Sequence, residues 1–364
     1  MGCRPRRSRR CWMPGARSSC VAYAATALAA NHHSFANLMT TLVTGATGFV
    51  GNNVVRLLVE RGAHVRVLAR ESADERPLAG LKLEIVRGDV RDRSAVERAL
   101  EGISHLIHAA GLVHIGWKRR DEQQAVNVEG TCNVASAARR AGARMVYVSS
   151  IDSLAAHSPG GPSNESTPIN GEICCPYVTT KREAERAVLD DIACGLDAVI
   201  VNPGFMLGPW DWKPSSGKML LKVAAGWGLL APPGGNSYCD VRDVATGIVS
   251  ALDRGRTGQR YILAGQTLTY REALTILARI TGGRRPIRTV RRWAVKTVGV
   301  VGDLHAWVTG RESDVNSAAA AMSLWPKDFT SARAAAELGY HSRGIEESAA
   351  DAWQWLKEHG YAKS

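Results

Sequence analysis

The sequence predicts a doubly wound α/β fold: a parallel sheet with helices on both faces, followed by a smaller, mostly helical C-terminal region. Three observations carry that expectation. Short apolar runs without polar alternation recur from residue 39 to residue 265, as strands buried on both faces require. Stretches with helical periodicity separate them. The first run ends in glycine, at the start of a glycine triplet that opens the first helix.

TLVTG (Thr41–Gly45) is the first strand, and FVGNNVVRLLVERG after it carries helical periodicity. AHVRVLAR and LEIVRGD are the second and third strands. DRSAVERALEG is an amphipathic helix with Val96 and Leu100 on one side and charges on the other, and Asp92 or Ser94 stands where a cap belongs. HLIHAAG is the fourth strand. One long helix is expected over about Gln123–Arg140, on the pattern Val126, Thr131, Val134, Ala137. RMVYVSS and DAVIVNPG are strands flanking a helix that begins PYVTTKREAERAV, and RYILAG is a late strand.

Composition narrows the function. The 364 residues are 45% hydrophobic, enough for one large or two modest domains. No apolar run reaches the roughly eighteen residues that a bilayer crossing needs. The net charge is +12, yet residues 1–38 hold six arginines and no acid, leaving 40 basic against 34 acidic residues elsewhere. That balance fits a soluble, cytoplasmic enzyme handling anionic ligands and calls for no nucleic-acid partner. Cys132, Cys174, Cys175, Cys194 and Cys239 show no metal-ligand spacing, so free thiols and no metal are expected. RPRRSRR followed by VAYAATALAA has the outline of an export signal. The intervening CWMPGARSSC, and Met39 directly before TTLVTGATGFVG, favour a disordered or non-native extension over residues 1–38.

Gly45, Gly48 and Gly51 form G-x-x-G-x-x-G between a strand and a helix, with Thr47, Phe49 and Val50 in the same turn. A pyrophosphate must approach backbone N–H groups at a helix N-terminus, where Cβ atoms would obstruct it. That context reads as a dinucleotide site. Arg70 ends the second strand, where a guanidinium suits the 2′-phosphate of NADP, so NADP is favoured over NAD. Arg66 is a weaker candidate, and Glu71 could instead reach a ribose. Asp89 and Val90 are placed to flank an adenine, while Ala109, Ala110 and Gly111 leave room for the cofactor at the next strand end. Tyr177 and Lys181 lie one turn apart on a helix face. Spacing alone leaves open a catalytic pair or a solvated surface; the glycine triplet and the serines of YVSS upstream favour chemistry.

TGATGFVG, GDVRD, HAAG, NVEGT, YVSS, YVTTK and NPGFMLGPWD occur in this order. In them the chain from Met39 to about Tyr361 resembles the extended short-chain dehydrogenase/reductase family, in particular its dihydroflavonol-reductase-like and hopanoid-associated sugar-epimerase branch. The resemblance implies a Ser–Tyr–Lys centre of Ser150, Tyr177 and Lys181, with Ser149 the second choice for the serine and Ser153 the third. It gives Asn127 the task of ordering the helix near the site, and places Pro203 and Gly204 along the nicotinamide carboxamide. It also implies a homodimer through the Tyr177 helix. On this reading Lys181 and an oxidised nicotinamide lower the tyrosine pKa from its ordinary value near 10.

The expected division is a Rossmann domain of residues 39–208 and 238–265, and a substrate-binding region of residues 209–237 and 266–364. A small-molecule substrate would lie beyond the strand ends, near His114, Trp117, Met206, Trp210, Trp212, Lys218 and Tyr238. Ten tryptophans, several in these loops, could stack on a sugar, flavonoid-like or sterol-like ring, or simply pack the small region onto the sheet. Asp243 reads as a helix cap or salt bridge. GGRRPIRTVRRWAVKTVGVV is basic and partly amphipathic: contact with anionic lipid is one reading, but the expectation is that its apolar side packs on the domain. The leading function is an NADP(H)-dependent oxidoreductase acting on a carbonyl or secondary alcohol of a bulky molecule. A sugar-nucleotide epimerase or dehydratase using the same centre, and a non-catalytic NADP-sensing protein, are the alternatives.

Overall fold

The computed structural model describes residues 40–154, 160–169 and 175–362. The N-terminal extension and Cys174 fall outside them. In chain order the first half is β1 (Thr40–Thr44), α1 (Phe49–Glu60), β2 (His64–Ala69), β3 (Glu84–Arg87), α2 (Arg93–Ala99) and β4 (His105–His108). Then come α3 (Arg120–Gln123), α4 (Gly130–Ala141), β5 (Arg144–Val148), α5 (Ile151–Leu154), α6 (Pro176–Ala193) and β6 (Ala198–Pro203). The second half contains β7 (Phe205–Leu207), α7 (Gly217–Ala224), β8 (Leu230–Ala231), β9 (Gly235–Asp240), α8 (Val241–Arg254), β10 (Arg260–Leu263) and β11 (Gln266–Thr269). It closes with α9 (Tyr270–Thr281), β12 (Arg288–Thr289), α10 (Arg292–Thr309), α11 (Ser317–Ser323), α12 (Ala332–Leu338) and α13 (Ile345–Glu358).

Seven strands form one parallel sheet in the order β10-β6-β5-β4-β1-β2-β3. The order reverses between β1 and β4, where a doubly wound sheet opens a crevice at its C-terminal edge. Successive side chains face opposite ways, so each strand feeds two cores. Val43, Val67, Ile107, Val146 and Val199 meet α1 and α8 through Val54, Leu58, Val244 and Ile248. Leu42, Leu106, Met145 and Ile200 meet α2, α4 and α6 through Val96, Val134, Ala138 and Val188. A sheet buried on both sides needs apolar residues at every position, which is why its strands read as continuous runs. Burying each such Val, Leu or Ile fully is worth about 1.5–3 kcal/mol.

Smaller strands β11-β9-β7 form a second sheet after the β6 end. With α7, α9 and α13 they enclose a separate core that includes Leu207, Leu220, Leu277 and Trp355. The chain then returns: Ala334, Leu338 and Tyr340, in and just after α12, join the core on the α1/α8 face.

Two elements differ from the sequence expectation. The helix expected over about Gln123–Arg140 is interrupted, because Gln124–Glu129 form a π-turn between α3 and α4. Such a turn aims a side chain that a regular helix would place elsewhere, here the buried Asn127. The basic segment also faces the other way from its expectation. Only Gly299 and Ala306 of α10 are buried, whereas Trp293, Val300, Val301, Leu304, Trp307 and Val308 are exposed. A Cβ on Gly299 would lie 2.7 Å from the Ala320 Cβ, so α10 rests on α11 along a seam too close for large side chains. The large residues therefore point outward.

Candidate active site

The first βα turn is built for close approach. Gly45 has φ +73°, and a Cβ there would lie 2.5 Å from the Ala110 nitrogen and 2.6 Å from the Ala109 oxygen. A Cβ on Gly51 would meet the Gly45 oxygen at 2.2 Å. The glycines thus bring the turn against the β4 end and pack α1 beneath it. No side chain caps α1 at Gly48, so its first N–H groups are left for another acceptor. Thr47, Phe49 and Val50 are half-buried in this turn. The residues present therefore fit a pyrophosphate.

Around it, Arg70 is exposed just past β2, and its side chain makes no hydrogen bond or ion pair among the described residues. Its charge helps hold the Asp89 carboxyl below the usual range, after the larger effect of the Arg91 guanidinium. Asp89 grips Arg91 at 2.8 Å, and Val90 is buried beside Gly130. Arg66 is not a phosphate ligand here. It donates to the carbonyls of Ala99 and Glu101 and pairs with Glu84, because its place within β2 points it at the end of α2.

The proposed centre converges at the ends of β4, β5 and β6. Tyr177 and Lys181 lie on the buried face of α6, at 6% and 5% exposure, and not on a solvated one. Pro176 starts that helix. Asn127 ties the pieces together: its Oδ1 accepts from the Leu112 N–H at 2.7 Å, and its Nδ2 donates to the Leu112 carbonyl and the Thr180 hydroxyl, both at 3.1 Å. The loop after β4 is thereby locked to α6. Among the three candidate serines, Ser153 is committed to the Glu185 carboxylate at 2.6 Å and to the Ser150 carbonyl at 2.7 Å. Ser149 lies 3.5 Å from Ser153. The Ser150 hydroxyl lies 3.4 Å from the Asp152 carboxylate and accepts from the Asp152 N–H at 3.2 Å, and of the three serines it is the one whose influence on the Tyr177 phenol favours the ionised form.

The electrostatics depart from the sequence expectation that Lys181 lowers the phenol. Burial, then the Asp152 carboxylate, pushes the Tyr177 pKa well above its ordinary value, and Ser150 opposes them. Lys181 donates to the Val148 carbonyl at 3.0 Å, and its ammonium lies beside Gly111. Burial lowers its pKa to about 8, and the charge of Glu185 opposes the shift. Glu185 is fixed by Ser153, Asn202 and Arg260.

Asp152 beside the phenol, and two residues around Asp152, escaped sequence reasoning. Asp152 pairs with Lys327 at 2.5 Å, and Tyr270 lies in the field of that pair. Asp152 was visible in SSIDS, two residues from the chosen serine; Lys327 and Tyr270 come from distant segments and carry no motif. Ile115, Met322 and Trp325 pack around Cys175 and Tyr177.

The substrate candidates scatter. Pro203 ends β6, and a Cβ on Gly204 would collide with the Ser237 carbonyl at 2.5 Å, so the chain turns tightly into β7 with Met206 half-buried. His114 and the Trp117 N–H both bind Glu312, at 2.7 and 2.6 Å, which pins their loop to the segment after α10. Trp210 and Trp212 meet Trp355 and His359 tilted or edge-on, and Arg56 covers Trp210 at 3.4 Å; they pack the small region, the second of the two sequence readings. Tyr238 is 1% exposed and belongs to a core, edge-on to Phe205, so it offers no contact surface. Lys218 is held by Asp314 at 2.7 Å. Asp243 forms a salt bridge with Arg343 at 2.8 Å, and its neighbour Asp240 caps α8.

A dinucleotide cradle joined to this edge of the sheet defines an enzyme of the reductase and epimerase class. The model of the NAD dependent epimerase/dehydratase family matches residues 41–264. The chain belongs to that family, within the extended short-chain dehydrogenase/reductases. It is 36% identical over 326 residues to the sterol demethylase protein B of Methylococcus capsulatus, covering 88% of this chain and 99% of that one. It is 34% identical over 330 residues to a Synechocystis sp. protein named as a dihydroflavonol 4-reductase, covering 88% and 96%. The crystal structure of gox2253 superposes with a TM-score of 0.79 at 36% identity, over 89% of this chain and 99% of that one.

Proposed function

We propose that this enzyme is an NADP(H)-dependent oxidoreductase that reduces a carbonyl, or oxidises the matching secondary alcohol, of a bulky apolar molecule. The observation that carries the reading is that Tyr177 and Lys181 are both buried on α6, with the Lys181 ammonium beside Gly111 at the β4 end that the glycine turn contacts. A bound nicotinamide would supply or accept the hydride. Ser150 orients the substrate oxygen by a hydrogen bond. Tyr177 gives its proton to that oxygen as negative charge develops, and its raised pKa keeps it protonated at neutral pH. Lys181, fixed by the Val148 carbonyl and favoured as a cation by the charge of Glu185, puts positive charge near Gly111 and the β4 end.

An apolar hollow on the small region, beside Phe205, supports a bulky substrate. A cavity of about 350 Å³ is bordered by Phe205, Met219, Val223, Trp227 and Leu274. Its lysines, Lys218 and Lys222, share the single Asp314 carboxylate. The sterol and flavonoid words in the relatives' names support a fused-ring or similarly bulky skeleton. The unpartnered Arg70 guanidinium supports NADP over NAD.

The test follows reduced-nicotinamide absorbance with the chain, NADPH or NADH, and a panel of sterol-like and flavonoid-like ketones beside sugar nucleotides. Stoichiometric consumption of NADPH with a ketone, and tighter binding of NADPH than of NADH, are expected. Tyr177→Phe should cut turnover by at least about 100-fold while the dinucleotide Kd stays within twofold or so. Product formation from a sugar nucleotide without net cofactor consumption would establish an epimerase instead.

A further inference from the structure

The outer face of α10 has no role in the chemistry above, yet it is the most apolar exposed surface among the described residues. Trp293, Val300, Val301, Leu304, Trp307 and Val308 fall on one stripe by the 3.6-residue period, interrupted only by Thr297. Trp307 is 82% exposed and Val308 70%. Ile287 and Leu230, at the paired strands β12 and β8, are also exposed. The stripe cannot be relieved by rolling the helix. Beyond the Gly299 contact, a Cβ on Gly302 would meet the Val315 carbonyl at 1.9 Å, so the inward seam admits only small residues.

Charge identifies the partner. From Gly282 to Arg311 there are seven Lys or Arg residues and one acid, Asp303, which is occupied by the Ser317 N–H at 3.1 Å. Arg284, Arg285, Arg288, Arg291 and Lys296 are exposed, and their side chains make no hydrogen bond or ion pair among the described residues. A basic rim around an apolar stripe with tryptophans at both ends is complementary to anionic headgroups over acyl chains. A second copy would bring a like-charged rim against this one. Among the described residues no helix is long and apolar enough to cross a membrane, so α10 would lie in the interface plane.

We infer that α10 and the arginines preceding it dock the enzyme on the surface of an anionic lipid bilayer. Docking would set the active site at the membrane. α11, on which α10 rests, sends Ala318 and Met322 to the Tyr177 cluster, and the His114–Trp117 loop is fastened to Glu312 just beyond α10. A lipid-dissolved substrate would then enter without crossing water. The surface stands on its own observations, whatever the reaction is.

The experiment is co-sedimentation of the full chain with vesicles of phosphatidylcholine, alone or mixed with phosphatidylglycerol, alongside NADPH titration as a check of folding. The chain should sediment with the mixed vesicles and be released by high salt. Leu304→Glu with Trp307→Glu should lower the partition by about tenfold or more. Arg284→Glu, Arg285→Glu and Arg288→Glu together should lower it similarly on anionic vesicles. NADPH affinity should be unchanged in both. Three outcomes overturn the inference: no binding to either vesicle; vesicle binding that survives both sets but is lost on removing residues 1–39; or a dimer that Trp307→Glu converts to monomer without vesicle binding.

Discussion

Asp152 governs both the charge and the geometry beside Tyr177. Its carboxylate raises the phenol, its backbone N–H donates to the Ser150 hydroxyl at 3.2 Å, and its Oδ1 holds the buried Lys327 ammonium. Lys327 is itself anchored, its N–H on the Gly235 carbonyl and its carbonyl on the Ser237 hydroxyl. Asp152→Asn removes a negative charge from the phenol, so phenolate forms more easily and the proton-donating state is lost at lower pH. The alkaline limb of the kcat/KM profile for reduction should therefore move down in pH. The same change leaves Lys327 buried without its partner, a situation that costs about 3–5 kcal/mol. Adding Lys327→Met should restore most of the stability but leave the pH limb shifted, as urea unfolding and a pH–rate series would record. An unshifted limb in both variants would remove Asp152 from the chemistry.

At the scale of elements, the glycine turn and α1 make the sharpest contrast. Gly45 and Gly62 both have positive φ, +73° and +74°, but a Cβ on Gly45 strikes the β4 end while one on Gly62 meets nothing within 4 Å. Gly62→Ala should cost only about 1–2 kcal/mol, the price of a left-handed backbone, and leave NADPH binding intact. Gly45→Ala should force the turn away from Ala109 and Ala110 and weaken NADPH binding by more than about tenfold. Equal losses in calorimetric titration would mean the turn does not hold the dinucleotide. The same elements explain what was legible. Buried parallel strands such as HVRVLA and AVIVNP announce themselves as apolar runs, and a glycine turn before a helix has a fixed spacing. The π-turn at Asn127 has no sequence signal, because its residues also suit an ordinary helix. The strand GNSYCD lacks the apolar pattern, since Asn236 and Ser237 bond within their surroundings. In α10 the period was readable but its direction was not. Which side faces protein depends on the α11 backbone that meets Gly299 and Gly302.

For the whole molecule, the question is whether the region after β10 unfolds apart from the sheet. The expected division assigns residues 266–364 to the substrate-binding region, yet α12 within that span packs into the core of the sheet. Leu338 is 1% exposed within the core of the α1/α8 face, and Ser331 bonds both the N–H and the carbonyl of Ala264, at 2.8 and 2.9 Å. Tyr261 donates to Glu337 at 2.5 Å, and Arg343 joins Asp243 at 2.8 Å, with both charges in protein surroundings. A residue that fills the sheet's own core cannot leave without opening a cavity against β10 and α8. Leu338→Ala should therefore lower the stability of the entire chain by about 2–4 kcal/mol in one cooperative step. Tryptophan fluorescence, which reports the Trp210–Trp212–Trp355 cluster in the small region, and NADPH binding, which reports the sheet edge, should be lost at the same urea concentration. If the fluorescence transition came first while NADPH still bound, α12 would be an attachment and not part of the common core.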